Sequence, residues 1–523
     1  MCRGTPSGSF PAMARRAITA VLVAAALGAG GTEARADRSS GPLPALHAEP
    51  DPVNGGRIVD EEGREVLLRG VNVNALAEYW AGTDFPTTFR LKKGDPARMA
   101  SIGWNAVRLL LSWSKVEPEP GEYDGAYLDR VAKVVDRLAA VGIYTIIDLH
   151  QDAWGATLAA RPDEECTPPQ TPALGWDGAP EWATLAGGAP RCWSGIRELS
   201  PAVTASWTAF FADEPAADGV GVRTRYVEML GHVAERFADE SAVAGFDLMN
   251  EPNAFSDEHQ AALSAMYGEA LAAIRAGEED GGGFPHLVLF EPAAAWSSTG
   301  RGAPPDFARD ENVVYAPHVY TGGFTNGPIT GEAFTIAREE AAGFGGAPVL
   351  SGEWGSGPER AGPSGDGYFV EHQRLQDEFH LSATLWTWRE SCGDPHIATG
   401  VLEGEIPGVW GEFEVDCTDN SIVGVRDDLV DDLTRGYVRA APGRLGVTTY
   451  DPTTSALIAS GEAEDRGGAR LLAFHPGPRA DDVTVTVEGL GDPDLEELKG
   501  GGVLIRARPQ GGPWELRVEP VSR

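Results

Sequence analysis

Eight short apolar runs, separated by longer amphipathic stretches, constrain the fold of this chain more than any other feature. Each run is almost continuously hydrophobic, which is typical of a strand in a parallel sheet covered on both faces. The stretches between the runs have helical periodicity, as at 126–142 and 222–239. The runs are EVLLRGVNV (65–73), NAVRLLLSW (105–113), GIYTIIDLH (142–150), VAGFDLMN (243–250), HLVLFEP (286–292), NVVYAPHVY (312–320), APVLSGEW (347–354) and LSATLWTW (381–388). This alternation predicts an α/β fold, a (β/α)8 TIM barrel, with an open doubly wound sheet as the alternative.

The sequence pattern changes near residue 430. Beyond it, short runs of alternating polarity are separated by Gly, Pro and Asp, which is typical of an antiparallel β-sandwich. We therefore predict a barrel domain at 37–430 and a C-terminal β-sandwich domain at 431–523. A long insertion at 151–206 follows the third run, on the face where barrels place their chemistry, and long irregular loops of this kind are usually functional.

The first 36 residues have the pattern of a signal peptide. Arg15 and Arg16 precede a short apolar run, and ARA at 34–36 has the small-x-small form of a cleavage site. The apolar run is too short to span a bilayer comfortably. The sequence therefore predicts a secreted, extracellular protein.

Four cysteines follow the predicted signal peptide, namely Cys166, Cys192, Cys392 and Cys417. An even number of cysteines in a secreted chain favours disulfide bonds. Three connectivities are possible, and we favour the two sequence-local pairs, Cys166 with Cys192 and Cys392 with Cys417. A zinc site is disfavoured because no CxxC or HxxxH spacing occurs. We expect neither a metal nor an organic cofactor.

The charge balance is acidic, with 42 Lys and Arg against 78 Asp and Glu, a net charge of -36. Such a balance disfavours binding to nucleic acid or to an anionic membrane surface through net charge. It does not disfavour a neutral sugar as substrate. We expect a monomer.

Several of the runs end in polar or aromatic side chains suited to sugar chemistry. In a barrel these strand ends share one face, so Glu251 and Glu353 would meet as a proton donor and a nucleophile. A neighbouring carboxylate and partial burial would raise the pKa of the donor. A single Glu after a strand is usually a solvated turn residue, but the joint pattern favours an active site. Its other candidates are Arg108, His150, Asp152, Asn250, His318, Tyr320 and Trp386.

The motifs at these strand ends resemble those of retaining glycoside hydrolases of family 5. They are RGVN (69–72), DLHQD (148–152), LMNEP (248–252), HVY (318–320) and SGEWG (351–355), together with Arg108 and Trp386. The resemblance implies that Glu251 is the general acid/base and that Glu353 is the nucleophile. It also implies that Asn250 contacts the sugar 2-hydroxyl group and that Trp386 is a platform for the sugar ring. Arg108, His150, His318 and Tyr320 would shape the site.

Within that family, DLHQD, FDLMNEP and LTRGYVRAAPG (433–443) look like segments of endoglycoceramidases. This likeness implies a glycosphingolipid substrate, transient contact with a lipid micelle or membrane surface, and a sugar-binding role for Asp152. Loop aromatic side chains could line a ceramide groove or simply anchor the loops. They are Trp80, Phe85, Phe89, Trp154, Trp176, Trp182 and Trp193.

Three other functions stay open at this level. The first is an endo-β-glycanase of the cellulase or mannanase type, and the second is an exo-acting glucosylceramidase or steryl glucosidase. The third is a carbohydrate- or lipid-binding protein without catalysis, which the presence of both glutamates disfavours.

Overall fold

The eight predicted strands form one parallel sheet in the computed structural model, which describes residues 42–324, 327–399, 409–463 and 468–521. The predicted signal peptide lies outside these residues. The strands are β1 (Arg69–Val73), β2 (Ala106–Ser112), β3 (Tyr144–His150), β4 (Val243–Asp247), β5 (Leu287–Phe290), β6 (Val313–Tyr315), β7 (Leu350–Trp354) and β8 (Ser382–Leu385).

The sheet closes into a barrel. Neighbouring strands pair in sequence order from β1 to β6, and β8 pairs with both β1 and β7. The last gap is bridged where Tyr315 of β6 pairs with Val349, and the Tyr315 N–H donates to the carbonyl of Pro348 at 2.9 Å. The TIM-barrel prediction is confirmed, and the open-sheet alternative is wrong. All eight strands therefore present their carboxyl ends at one face.

The helices between the strands follow from the amphipathic stretches. Gly125–Ala139, for example, starts at Asp124, whose side chain accepts from the N–H of Tyr127, and buries an apolar face that includes Val131 and Leu138. Within the described residues, no helix is both long and apolar enough to cross a bilayer. The α-helices are Asp95–Ile102, Trp113–Val116, Gly125–Ala139, Pro201–Phe211, Val222–Arg236, Asp257–Asp280, Trp296–Thr299, Glu332–Ala342, Tyr368–Glu378, Pro395–Thr399 and Asp427–Leu433.

Two disulfide bonds fasten loops on the active face of the barrel. Cys166 bonds to Cys192 in the insertion after β3, where strands Thr171–Pro172 and Cys192–Trp193 pair. Cys392 bonds to Cys417 in the loop after β8, beside the hairpin of Phe413–Asp416 and Ser421–Val425. The predicted connectivity is confirmed.

The C-terminal region forms two antiparallel sheets that enclose a second apolar core around Trp514. The four-stranded sheet contains Arg444–Asp451, Ala456–Ala463, Gly512–Pro520 and Val483–Glu488. The seven-stranded sheet contains Leu46–Glu49, Arg57–Asp60, Arg64–Val66, Tyr437–Pro442, Leu471–His475, Val503–Ala507 and Asp494–Glu497. Its first three strands precede the barrel in sequence, and residues from Pro42 onward form one compact unit. The sandwich is therefore built from both ends of the described chain.

Gly70 is required by the close approach of β1 to β2. A Cβ atom at Gly70 would lie 1.9 Å from the carbonyl oxygen of Ala106, so Gly70→Ala should lower the free energy of unfolding by about 1–3 kcal/mol. The control is Gly125→Ala, where a Cβ atom meets no neighbour and the free energy should stay unchanged or rise by up to about 1 kcal/mol. Urea denaturation of both variants checks this, and equal stabilities would contradict the packing assignment.

Candidate active site

Arg108 is the centre of the polar cluster inside the barrel. Its side chain on β2 is fully buried. Burial alone would lower the pKa of Arg108, but the surrounding carboxylates raise it well above the ordinary value, so the guanidinium stays charged. Its nitrogens lie 2.9 Å from a carboxylate oxygen of each of four residues, Asp148, Asp247, Glu291 and Glu353. The cation therefore orders acidic side chains from four strand ends.

Glu353 on β7 is held by two donors. Arg108 Nη1 donates to Oε1 at 2.9 Å, and the Tyr320 hydroxyl donates to Oε2 at 2.9 Å. His318 Nδ1 lies 3.5 Å from Oε2. Each carboxylate oxygen of Glu353 thus faces a positive or hydrogen-bonding group, and these contacts fix the orientation of the side chain.

Glu251 follows β4 and faces Glu353. His318 Nδ1 lies 2.9 Å from Oε1 of Glu251, and the Ser297 hydroxyl donates to the same oxygen. One carboxylate oxygen of Glu251 and one of Glu353 lie within 4.8 Å of each other. Carboxyl groups of retaining glycosidases are about 5–5.5 Å apart, whereas inverting enzymes need roughly 6.5–9.5 Å.

The pKa of Glu251 differs from the sequence-based expectation. Burial acts to raise it, but the hydrogen bond and the charge of His318 outweigh burial, and the pKa is lowered from its ordinary value. His318 is the complementary group, because burial lowers its pKa but Glu291, Glu353 and Glu251 raise it well above the ordinary value. The expectation of a raised pKa for Glu251 is therefore wrong for the free protein, and the proton lies on His318.

Asn250 joins the acidic pair to the strand framework. Its Oδ1 accepts from Arg108 Nη2 at 3.0 Å, and its Nδ2 donates to the carbonyl of Gln151 at 3.0 Å. Gln151 in turn donates to the carbonyl of Glu251 at 2.9 Å. The ends of β3 and β4 are therefore fastened together beside Glu251.

A second polar group forms one wall of the site. His150 Nδ1 lies 2.7 Å from Asp148. Asp152 accepts from Arg197 Nη2 at 2.6 Å and lies 3.2 Å from His396 Nε2, while His396 Nδ1 lies 2.7 Å from Asp394. Charged donors and acceptors thus alternate along this wall, which suits recognition of sugar hydroxyl groups.

Aromatic side chains form a second wall. The rings of Tyr320 and Phe324 stack at 4.3 Å between centroids, and Trp410 packs beside them. Glu390 accepts from Trp386 Nε1 at 3.1 Å and from the Trp410 N–H at 2.5 Å. The cavity is lined by Asp152, Arg197, Asn250, Glu251, Tyr320, Phe324, Glu353, Trp386, Glu390, His396 and Trp410.

One set of buried side chains beside the sugar-facing wall has donors that a divalent cation could use. His150, Asp152 and Asp177 each place one ligand atom within 4.8 Å of the others. Asp177 is fully buried, and within the described residues no group donates a hydrogen bond to its carboxylate. The expected absence of a metal stays a prediction.

Sequence comparison identifies the family of this barrel. The family described as "Cellulase (glycosyl hydrolase family 5)" matches residues 59–391. The chain belongs to glycoside hydrolase family 5.

Proteins named endoglycoceramidase and endogalactoceramidase are among those similar to this chain. Endoglycoceramidase I of Rhodococcus hoagii is 30% identical over 309 residues, which cover 53% of this chain and 53% of the relative. The chain thus spans about half the length of the curated relatives it matches. Among solved structures, one described as endogalactoceramidase is 35% identical, with a TM-score of 0.79, and covers 92% of this chain and 100% of its own. A lactosyl-enzyme intermediate of endo-glycoceramidase II from Rhodococcus sp. is 25% identical, with a TM-score of 0.67, and covers 89% and 99%.

The glycoside hydrolase site contains residues that the sequence interpretation missed. The sequence pattern could have indicated Glu291, because its Phe-Glu-Pro strand end resembles the Asn-Glu-Pro of Glu251. No sequence pattern indicated the four site residues that lie in the segments between strands, namely Arg197, Glu390, His396 and Trp410. The structure brings together every catalytic and sugar-binding candidate, namely Arg108, His150, Asp152, Asn250, Glu251, His318, Tyr320, Glu353 and Trp386.

The loop tryptophans mostly anchor the insertion. Trp154 and Trp176 are each only 2% exposed, so neither lines an open groove. Trp182 and Trp154 pack edge-on against Trp113, at 5.2 and 6.5 Å between ring centroids. For these side chains the structure favours the loop-anchoring alternative over a ceramide groove.

Glu390 should make stability depend on pH. Burial, aided by the charge of Asp394, raises the pKa of Glu390 to about 7 from 4.5. The folded chain then holds a proton that the unfolded chain has released, so this residue's contribution falls as pH rises from about 4.5 through about 7. Glu390→Gln lacks this titration, and its stability relative to wild type should rise by roughly 2–3 kcal/mol between pH 4.5 and pH 8.

Urea denaturation across this pH range measures the difference for Glu390→Gln. Glu515 is exposed, so Glu515→Gln is the matched control. Its free energy of unfolding should change with pH as that of the wild type does. A parallel curve for Glu390→Gln as well would show that Glu390 does not hold the buried proton.

Proposed function

We propose that this chain is a secreted retaining β-glycosidase that hydrolyses the bond between glycan and ceramide in glycosphingolipids. The observation that carries the proposal is the carboxylate pair, with an oxygen of Glu251 within 4.8 Å of one of Glu353. The similarity to chains named endoglycoceramidase and endogalactoceramidase supports the substrate class. The signal-peptide pattern and two disulfide bonds support secretion.

In the first step Glu353 attacks the anomeric carbon of the sugar next to ceramide. The bond between that carbon and the ceramide oxygen breaks, and Glu251 gives a proton to the leaving oxygen. Ceramide departs as an alcohol, and the glycan stays joined to Glu353 as an ester. Arg108 and Tyr320 hold the two oxygens of Glu353 in place for the attack.

In the second step water replaces Glu353 at the same carbon. Glu251, now a carboxylate, takes a proton from the water as its oxygen attacks, and the ester bond breaks. The glycan leaves with its original anomeric configuration. Two inversions at one carbon thus produce retention.

The two walls of the cavity supply binding of complementary kinds. Asp152, Arg197 and His396 offer hydrogen-bonding groups to sugar hydroxyls, and Trp386 offers an aromatic face to the ring. Because Arg197 and Asp152 already bind each other at 2.6 Å, the wall is ordered before the sugar arrives. Such preorganisation lowers the entropic cost of binding.

Exposed apolar side chains beside this cavity support a lipid aglycone. Ile196, Leu199 and Phe255 are 50%, 56% and 44% exposed. Their segments are joined where Asn253 Nδ2 donates to the carbonyl of Glu198 at 2.7 Å. Ile196 and Leu199 lie within two residues of Arg197 in sequence, and Phe255 follows Glu251 by four residues. An acyl chain leaving the cavity on this side would therefore contact apolar surface.

An assay of the products released from several substrates distinguishes this function from two alternatives. The substrates are glucosylceramide, galactosylceramide, lactosylceramide, a ganglioside and cellulose. Release of an intact oligosaccharide together with ceramide from lactosylceramide or the ganglioside supports the proposal. Action on the single-sugar ceramides without release of an intact oligosaccharide from the longer ones indicates an exo-acting enzyme, and action confined to cellulose indicates an endoglycanase. The family description "Cellulase" is the observation that keeps the last alternative in the test.

The same assay tests the two carboxylates. Glu353→Gln should abolish turnover but retain substrate binding, because the amide is a poor nucleophile of nearly the same shape. Glu251→Gln should lower kcat by about 10²–10⁴-fold through loss of the proton donor. Unchanged turnover of Glu353→Gln would eliminate the proposed mechanism.

The apolar side chains near the cavity should matter for lipid substrates alone. Leu199→Ser and Phe255→Ser should each lower kcat/KM for a ceramide-linked substrate by about tenfold, because each removes contact with the lipid. Hydrolysis of a water-soluble aryl glycoside should change far less. Val447→Ser, at an exposed position 53% accessible in the sandwich, is the control. Equal effects on both substrates would contradict a lipid-binding role.

A further inference from the structure

Glu291 has no part in the double displacement, yet it lies directly behind the acid/base. It follows β5 in the sequence Phe-Glu-Pro, is 1% exposed and is not among the residues that line the cavity. Its backbone carbonyl accepts from the hydroxyl of Tyr267 at 2.8 Å, and its Oε1 accepts from Arg108 Nη2 at 2.9 Å. The backbone and the side chain of Glu291 are therefore each held by a hydrogen bond.

The first contact of Glu291 with the acid/base is through the backbone. Oε2 of Glu291 accepts from the N–H of Glu251 at 2.8 Å. Glu251 has φ of +38°, in the left-handed region that side chains other than glycine seldom adopt. A hydrogen bond to that N–H offsets the strain and fixes the direction in which the Glu251 carboxyl leaves β4.

The second contact is through His318. Oε1 of Glu291 lies 3.1 Å from His318 Nε2, and the other ring nitrogen, Nδ1, lies 2.9 Å from Oε1 of Glu251. The imidazole ring thus bridges the two carboxyl groups. A negative charge on one side of the ring favours the imidazolium form that donates to the other side.

We propose that Glu291 is a positioning residue for the acid/base, Glu251. It accepts a hydrogen bond from the backbone N–H of Glu251, and it keeps a proton on His318, next to the carboxyl group of Glu251. The inference rests on the proposed function, in which Glu251 is the proton donor. Along the 2.9 Å contact the proton moves from Nδ1 of His318 to Oε1 of Glu251, leaving a neutral imidazole. Glu251 passes that proton to the ceramide oxygen, and the water of the second step returns one. Glu291 and His318 end the cycle unchanged.

The charges around Glu291 agree with this role. Burial raises the pKa of Glu291, whereas the charges of His318 and Arg108 act to lower it. Because the pKa of His318 is also raised, the pair retains a proton through neutral pH. Arg108 Nη2 and the Glu251 N–H both donate to the carboxylate of Glu291, which favours its ionised form and places that proton on His318. The charged and titratable groups that face Glu291, or its partners Arg108 and His318, are Arg108, Asp148, Asp247, Glu251, His318, Glu353, Tyr226, Tyr267 and Tyr315.

The pH–rate profile tests the inference. In Glu291→Gln the neutral amide no longer favours the imidazolium, so the alkaline limb of kcat/KM on lactosylceramide should move to lower pH by about 1–3 units. Glu291→Asp keeps the charge, so its limb should stay near that of wild type, while the shorter side chain loses the Glu251 N–H and kcat falls. An unmoved limb in Glu291→Gln overturns the proton-holding role.

The matched control is Glu278→Gln. Glu278 lies in the helix Asp257–Asp280, is also buried, and lies 3.0 Å from a histidine, His286. His286 precedes β5, at the end of that strand opposite Glu291. Its variant should leave the alkaline limb unmoved even where it lowers stability. If the alkaline limb moved equally in both variants, the shift in Glu291→Gln would reflect a general loss of structure rather than a specific role of Glu291.

Nitrogen NMR of the histidines gives a readout that needs no activity. The His318 signal is assigned as the one missing in His318→Asn, and its titration should move to lower pH in Glu291→Gln by the same 1–3 units. An unchanged titration overturns the inference. A wild-type chain that hydrolyses no glycolipid contradicts the proposed function instead, and the NMR titration still decides the role of Glu291.

Discussion

Burial of carboxylates around a single guanidinium is the constraint on which the rest of the site depends. Arg108 lies 2.9 Å from four of them inside a barrel that excludes water. Desolvating each carboxylate costs several kcal/mol, and one cation cannot compensate four anions. Burial therefore raises the pKa of Asp247 and Glu291, and the carboxylates raise the pKa of His318. Because these pKa values are raised, the cluster retains protons. The carboxyl groups of Glu251 and Glu353 therefore lie in a site with fewer positive than negative groups.

The site divides into a part carried by strands and a part carried by loops. Arg108 and Glu353 lie on β2 and β7, whose backbones are held by ladder hydrogen bonds. Arg197 follows the Cys166–Cys192 bond, while His396 and Trp410 lie between Cys392 and Cys417. Each disulfide thus restricts a loop that carries recognition side chains. In the proposed function, reaction geometry would therefore depend on the barrel, and sugar recognition would depend on the restricted loops.

This division explains how much the sequence could predict. Strand-end residues such as Glu251 and Glu353 were predictable because any closed parallel barrel gathers its carboxyl strand ends at one face. Arg197 and His396 were not, because the path of a long loop depends on packing between distant segments. The pKa of Glu251 was predicted in the wrong direction for a related reason. Its sign depends on whether His318 lies at 2.9 Å or a few ångströms farther away, and no sequence pattern encodes that distance.

The lowered pKa of Glu251 in the free protein is compatible with its proposed role as an acid, because the charge of Glu353 changes during the cycle. While Glu353 is a carboxylate, 3.5 Å from His318, its charge favours a proton on the His318–Glu251 pair, as the first step requires. Formation of the ester removes that charge, which lowers the proton affinity of the pair. Glu251 is then more fully ionised, as a general base must be in the second step. In this scheme the contacts of Glu291 with Arg108 and with the Glu251 N–H need not change, so the proton affinity of Glu251 follows the state of Glu353 rather than a movement of the framework.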